Sequence, residues 1–112
     1  MQITNSYHTV ELDEAKIMAL IIDPNINRLE TVFSKYYGCA FKDIPNDAFN
    51  AHLYLCRVEL NMTPCVLADT YDLSVNSIKT ITSICDVRMK TNTSYQQFLH
   101  RFYEDYTTNT AA

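Results

Sequence analysis

Glycine occurs once in these 112 residues, proline three times and tryptophan not at all. So little glycine and proline leaves no material for a turn-rich β architecture, and long alternating strand patterns are also missing. A glycine-rich phosphate loop cannot be built around a single glycine. No apolar run exceeds Ile17 to Ile22, far short of a membrane span. Met1-Gln-Ile-Thr-Asn-Ser lacks the basic region and apolar stretch of a secretory leader. Basic residues are not in excess either: the net charge is −4, which disfavours strong indiscriminate attraction to nucleic acid. Cys39, Cys56, Cys65 and Cys85 lie too far apart for the close pairs of a zinc site. Three of them fall on apolar helical positions, so buried, reduced thiols and a cytoplasmic location are expected.

What is present is apolar side chain in helical spacing. Residues of the apolar class make up 47% of the chain, enough for one core in a single all-α domain of five to six helices. The expected organisation is an irregular arm over 1–10, a helical domain over 11–106 and an unstructured tail over 107–112. A first helix is predicted over Glu11 to Ile22, with Leu12, Ile17, Leu20 and Ile21 on its core face, stopped before Pro24. A second spans about Asn27 to Tyr37, turning Leu29, Val32, Phe33 and Tyr36 or Tyr37 inward and ending at Gly38. A tight connection burying Phe41 and Ile44 follows. Asn46 is expected to cap a central helix from Asp47 to Asn61, apolar at Phe49, Leu53, Cys56, Val58 and Leu60. The last helix is predicted from Tyr95 to Tyr106 after a polar link, Thr91-Asn-Thr-Ser.

Between them, Thr63 to Cys85 reads as a helix-turn-helix spanning 64–87. Pro64 opens one helix, with Val66, Leu67 and Tyr71 apolar and Ala68 small where two backbones must approach. Asp72-Leu73-Ser74 turns the chain, and Ser74 is placed to cap the next helix. There Ile78, Ile81 and Cys85 form the buried stripe. Ser74, Asn76, Ser77, Lys79, Thr80 and Ser83 are left outward, a polar set suited to a DNA groove. Lys79, Arg88, Lys90 and Arg101 against Asp86 alone make residues 75–101 locally positive, by four minus one.

The order of these segments resembles the C-terminal DNA-binding domain of the bacterial replication initiator DnaA, a helix-turn-helix of the Trp-repressor type. The likeness runs through Val32-Phe-Ser-Lys-Tyr-Tyr-Gly-Cys-Ala-Phe-Lys-Asp-Ile44, the segment Ala51-His-Leu-Tyr-Leu-Cys-Arg-Val-Glu-Leu60, the corner, and Lys90-Thr-Asn-Thr-Ser-Tyr95, covering roughly residues 26–106. It implies a helical scaffold that binds double-stranded DNA. The departures fall on the reading residues. The family's basic stretch before the central helix is replaced by Ile44-Pro-Asn-Asp-Ala-Phe. Its Arg-Asp-His-Thr-Thr-Val signature becomes Leu73-Ser-Val-Asn-Ser-Ile78.

Two functions are therefore expected in competition. One is a DNA-binding module of altered or weak specificity, working alone, as a dimer or with a partner. Its contact residues would be Ser74, Asn76, Ser77, Lys79, Thr80, Ser83, Arg88 and Lys90. The other is a protein-interaction module on the same scaffold, using Tyr7, Tyr54, Tyr95, Tyr103 and Tyr106 as an interface patch. Catalysis is not expected, and no cofactor or metal is called for. His52 and Cys56 share one helix face but lack further ligands, and the Asp13-Glu14 and Glu104-Asp105 pairs read as solvated charge.

Overall fold

Helix α1 (Asn25–Tyr37) buries Ile26, Leu29, Val32 and Phe33, a stripe at helical spacing. The computed structural model describes residues 25–111, so the expected arm and first helix lie outside the described residues. Of the two candidate tyrosines, Tyr37 turns toward the core and Tyr36 stays exposed. Gly38 ends α1 at φ +68, where a side chain would be strained, and its N–H donates to the Ser34 carbonyl at 2.8 Å. A single 3-10 turn (Phe41–Asp43) follows and drops Ile44 into the core.

The central helix α2 (Asn46–Val58) buries Ala48, Ala51, His52, Leu53, Tyr54, Leu55 and Cys56, covering nearly its whole circumference. Asn46 is not its cap. Pro45, extended at φ −60 and ψ 152, holds that position, and no side-chain cap bond forms. The helix also stops short of Asn61, because Asn61 adopts left-handed backbone (φ 56). That reversal swings Met62 into the core, with its N–H on the Cys56 carbonyl at 3.0 Å. Val58 is consequently at the frayed end and 47% exposed rather than on the core face.

Helices α3 (Pro64–Tyr71) and α4 (Val75–Thr91) pack as a corner, and α4 lies along α2. The expected four-residue link after α4 is reduced to Asn92. Its backbone is extended, and its side-chain oxygen accepts from the Tyr95 N–H at 3.0 Å, so one residue both breaks α4 and caps α5 (Thr93–Ala111). Helix α5 does not end at Tyr106. With no glycine or proline to interrupt it, the helical backbone runs on to Ala111.

The result is an all-α bundle of five helices among the described residues, with α1 antiparallel to α5 and α2 against α4. Phe33 and Phe102 stack at 4.0 Å between α1 and α5, both fully buried. Among the described residues no helix is long and apolar enough to cross a membrane.

Candidate nucleic-acid interface

The corner is fixed by local chemistry. The Thr63 hydroxyl accepts from the Val66 N–H at 3.3 Å, and Pro64 occupies the first turn, where its missing N–H costs nothing. The helix is ended by Asp72 in left-handed backbone (φ 56, ψ 49), a conformation aspartate tolerates better than most residues. The Leu73 N–H then returns to the Ala68 carbonyl at 2.9 Å, so small Ala68 lies where the two helices meet. Ser74 caps α4 by accepting from the Ser77 N–H at 3.0 Å, and its hydroxyl also bonds the Ser77 hydroxyl at 2.9 Å. On the inner face Leu67, Ile78 and Cys85 are buried and Ile81 is half-buried. Thr82 joins them, its hydroxyl satisfied by the Ile78 carbonyl at 2.9 Å. Val66 was expected on this face and is 38% exposed; the short helix turns Leu67 and Ala68 inward instead.

A polar relay anchors the corner to the rest of the bundle. The Tyr71 hydroxyl donates to Glu30 of α1 at 2.5 Å and lies 2.6 Å from Nε2 of His52 on α2. Since that hydroxyl proton is engaged with Glu30, Nε2 of His52 carries the proton that completes the bond. Nδ1 of His52 is buried without a hydrogen-bond partner among the described residues. Phe33, Phe41 and Phe49 surround the imidazole ring. Burial there lowers the His52 pKa to about 3, keeping it neutral. Burial raises the Glu30 pKa, and the bond from Tyr71 pulls it back in part. Burial, then Glu30, pushes the Tyr71 hydroxyl well above its ordinary range. Tyr71→Phe strands the His52 N–H and the half-buried Glu30 carboxylate. It should lower stability by about 1–3 kcal/mol in urea unfolding while leaving the helix content unchanged.

The predicted contact residues separate into two groups. Ser74, Asn76, Ser77, Lys79, Thr80 and Ser83 are all exposed. Asn76, Thr80 and Ser83, at spacings of four and three, share the outer face of α4. Arg88 does not join them. Its guanidinium lies 4.1 Å over the Tyr95 ring and 3.8 Å from Asp47, drawn toward α2 and α5. Lys90 is exposed but sits 2.8 Å from Asp86, whose carboxyl Lys90 and Tyr54 together hold below its usual range. Arg101 donates to the Tyr36 hydroxyl at 2.6 Å, beside α1 rather than the corner. Lys79 has no ion-pair partner among the described residues.

Acids also reach this surface. Asp69 and Asp72 are exposed on α3 and the turn, lining a shallow hollow with Thr70 and Val75. Counted over residues 63–91, Lys79, Arg88 and Lys90 are balanced by Asp69, Asp72 and Asp86. The positive excess of three over 75–101 therefore falls to one once α3 and the turn are included, and to zero without Arg101, which lies beside α1. Farther along α4, Ile84 and Val87 are 56% and 61% exposed, continuing the polar stripe as an apolar one. The signal for them was in the sequence: both fall off the register of Ile78, Ile81 and Cys85.

The tyrosine patch does not form as expected. Tyr54, Tyr95 and Tyr106 are buried: the Tyr54 hydroxyl donates to Asp86 and the Tyr106 hydroxyl accepts from Arg28, whereas Arg88 covers the ring face of Tyr95, whose hydroxyl has no hydrogen-bond partner among the described residues. None of the four cysteines is in a disulfide; Cys56 and Cys85 are buried, whereas Cys65 faces outward from the first turn of α3. Comparison with protein-family models, with curated proteins and with solved structures finds no match to this chain.

Proposed function

We propose that the chain is a non-catalytic, cytoplasmic DNA-binding module whose α3–α4 corner acts as a helix-turn-helix of the DnaA C-terminal type, with altered and weak specificity. The observation that carries this reading is the joint exposure of Asn76, Ser77, Lys79, Thr80 and Ser83 on a helix rigidly capped at Ser74. Short hydroxyl and amide side chains meet base edges and phosphates without large desolvation, and Lys79 supplies a charge with no ion-pair partner among the described residues. The balanced corner charge favours modest affinity, and the exchanged Leu73-Ser-Val segment favours a different or relaxed site.

Binding to a mixed-sequence duplex should fall with salt at a slope of about −1 to −3 in log–log form, the range for one to three phosphate contacts. Lys79→Glu should weaken binding by about tenfold and flatten that slope by about 1, read by fluorescence anisotropy. Binding that ignores salt, or a Lys79→Glu variant equal to wild type, contradicts the reading.

A second reading, a module that binds protein on the same face, is favoured by one observation: the exposed Ile84 and Val87 on the outer stripe of α4. A partner or a second copy covering them would be displaced by Val87→Glu and not by Lys79→Glu.

A further inference from the structure

Arg88 leaves the outer face of α4 for a cleft of about 400 Å³ where the N-terminal ends of two helices meet. Pro45 and Asp47 open α2 on one side, and Asn92 and Ser94 open α5 on the other. That volume falls in the range of ligand-holding clefts, roughly 300–1,000 Å³. Its donors are open. The Arg88 guanidinium lies over the Tyr95 ring at 4.1 Å, which steadies it. Its partner Asp47, at 3.8 Å, is beyond hydrogen-bond length, and no other acceptor reaches it among the described residues. Pro45 gives α2 no side-chain cap, and Asn92 takes the Tyr95 N–H of α5. The Ser94 N–H and hydroxyl form no hydrogen bond among the described residues. Nor does the hydroxyl of Tyr95, a wall residue only 4% exposed. A guanidinium fork, two positive helix ends and uncommitted N–H groups are the chemistry that holds a phosphate. Asp47 alone opposes an anion there, and its side chain, 74% exposed, is free to turn to water.

We propose that this cleft clamps a backbone phosphate of the duplex that α4 meets, a role that rests on the DNA-binding reading above. Arg88 acts in it as a clamp on the backbone rather than a reader in the groove. Helix geometry says why the phosphate belongs to DNA. At about 100° per residue, Lys79 and Arg88 fall on opposite flanks of the stripe formed by Asn76, Thr80 and Ser83. Their separation in sequence places them about 13 Å apart along the axis. The major groove is about 12 Å wide, so a helix lying in it brings one cation to each phosphate ridge. Lys79 meets the first as a mobile point charge, and Arg88 meets the second with an oriented fork.

The test follows binding of the full chain to mixed-sequence duplexes at low salt by fluorescence anisotropy. Arg88→Gln should weaken binding by about tenfold and flatten the log–log salt slope by about 1, equally on unrelated sequences. Arg88→Lys keeps the charge but loses the fork, and should recover only part of the affinity. Asp47→Asn removes the opposing carboxylate and should tighten binding by about threefold or more, whereas Asp105→Asn, well along α5, should change it less than about twofold. In amide spectra Ser94 should shift as duplex is added to wild type and stay in place in Arg88→Gln. Full affinity in Arg88→Gln while Lys79→Glu is impaired would overturn the clamp and leave the reading of the corner standing. Equal gains from Asp47→Asn and Asp105→Asn would also overturn it, since overall charge would then be the cause. A wild type that binds no duplex would overturn both the clamp and the reading.

Discussion

Phe102→Ala should lower the unfolding free energy by about 3–5 kcal/mol, the range for a fully buried aromatic truncated to a methyl group. Phe102 is at 0% exposure and is shared by both walls of the α1–α5 interface. It stacks on Phe33 at 4.0 Å and meets Tyr36 and Phe98 edge-on, each at 4.9 Å. Small domains hold about 5–15 kcal/mol in total, so this one change removes a large share of the margin. With a slope of about 1.5 kcal/mol per molar urea, the midpoint should move down by about 2–3 M. Phe98→Ala, at a half-buried neighbour, should cost less than half as much. Equal costs at the two positions would show that the α1–α5 stack is not centred on Phe102.

Acid should destabilise the protein through His52. The folded state keeps this group neutral down to about pH 3, while in the unfolded chain it takes up a proton below about 6.5. Between those values the unfolded state binds more protons, so stability falls as pH drops, by up to about 1.4 kcal/mol per unit. From pH 6.5 to 4.5 the loss approaches about 2–3 kcal/mol. Glu30 works in the opposite sense: its raised pKa contributes stability that is present below the unfolded value of 4.5 and is lost as pH rises through the folded one. It therefore softens the wild-type slope, and the informative quantity is the difference between wild type and His52→Leu. The variant should lose the acid-sensitive component and run flatter from pH 6.5 to 4.5. Parallel curves would mean that His52 is not what acid attacks.

How much of this was legible in the sequence depends on the range of the interaction. Pro64, Ser74 and Gly38 act on backbone within a turn of themselves, and their opening, capping and terminating roles could be read directly; the Thr63 cap emerges only in the structure. The corner and the all-α class follow from them together with the spacing of Leu67, Ile78 and Cys85. Asn61 was misread because a left-handed asparagine looks, in sequence, like one more polar residue at the end of a helix. The tyrosines were misplaced for a different reason. Tyr54 and Tyr106 are buried with their hydroxyls bonded to Asp86 and Arg28, and Tyr95 lies under the Arg88 guanidinium, partners that are distant in sequence or on another helix. The same pairings removed Arg88 from the predicted contact set and neutralised Lys90. A charge count along 75–101 registered neither effect, and it left out Asp69 and Asp72, which the turn brings to the same surface.

The central claim is that the outer face of α4 is where DNA is met. Titrating a mixed-sequence duplex into labelled protein at low salt, and following backbone amides, tests it most directly. The account predicts shifts concentrated from Ser74 to Ser83, fading on added salt and diminished in Lys79→Glu. Shifts confined to Ile84 and Val87, or none anywhere on α4 while the duplex is in excess, would contradict it.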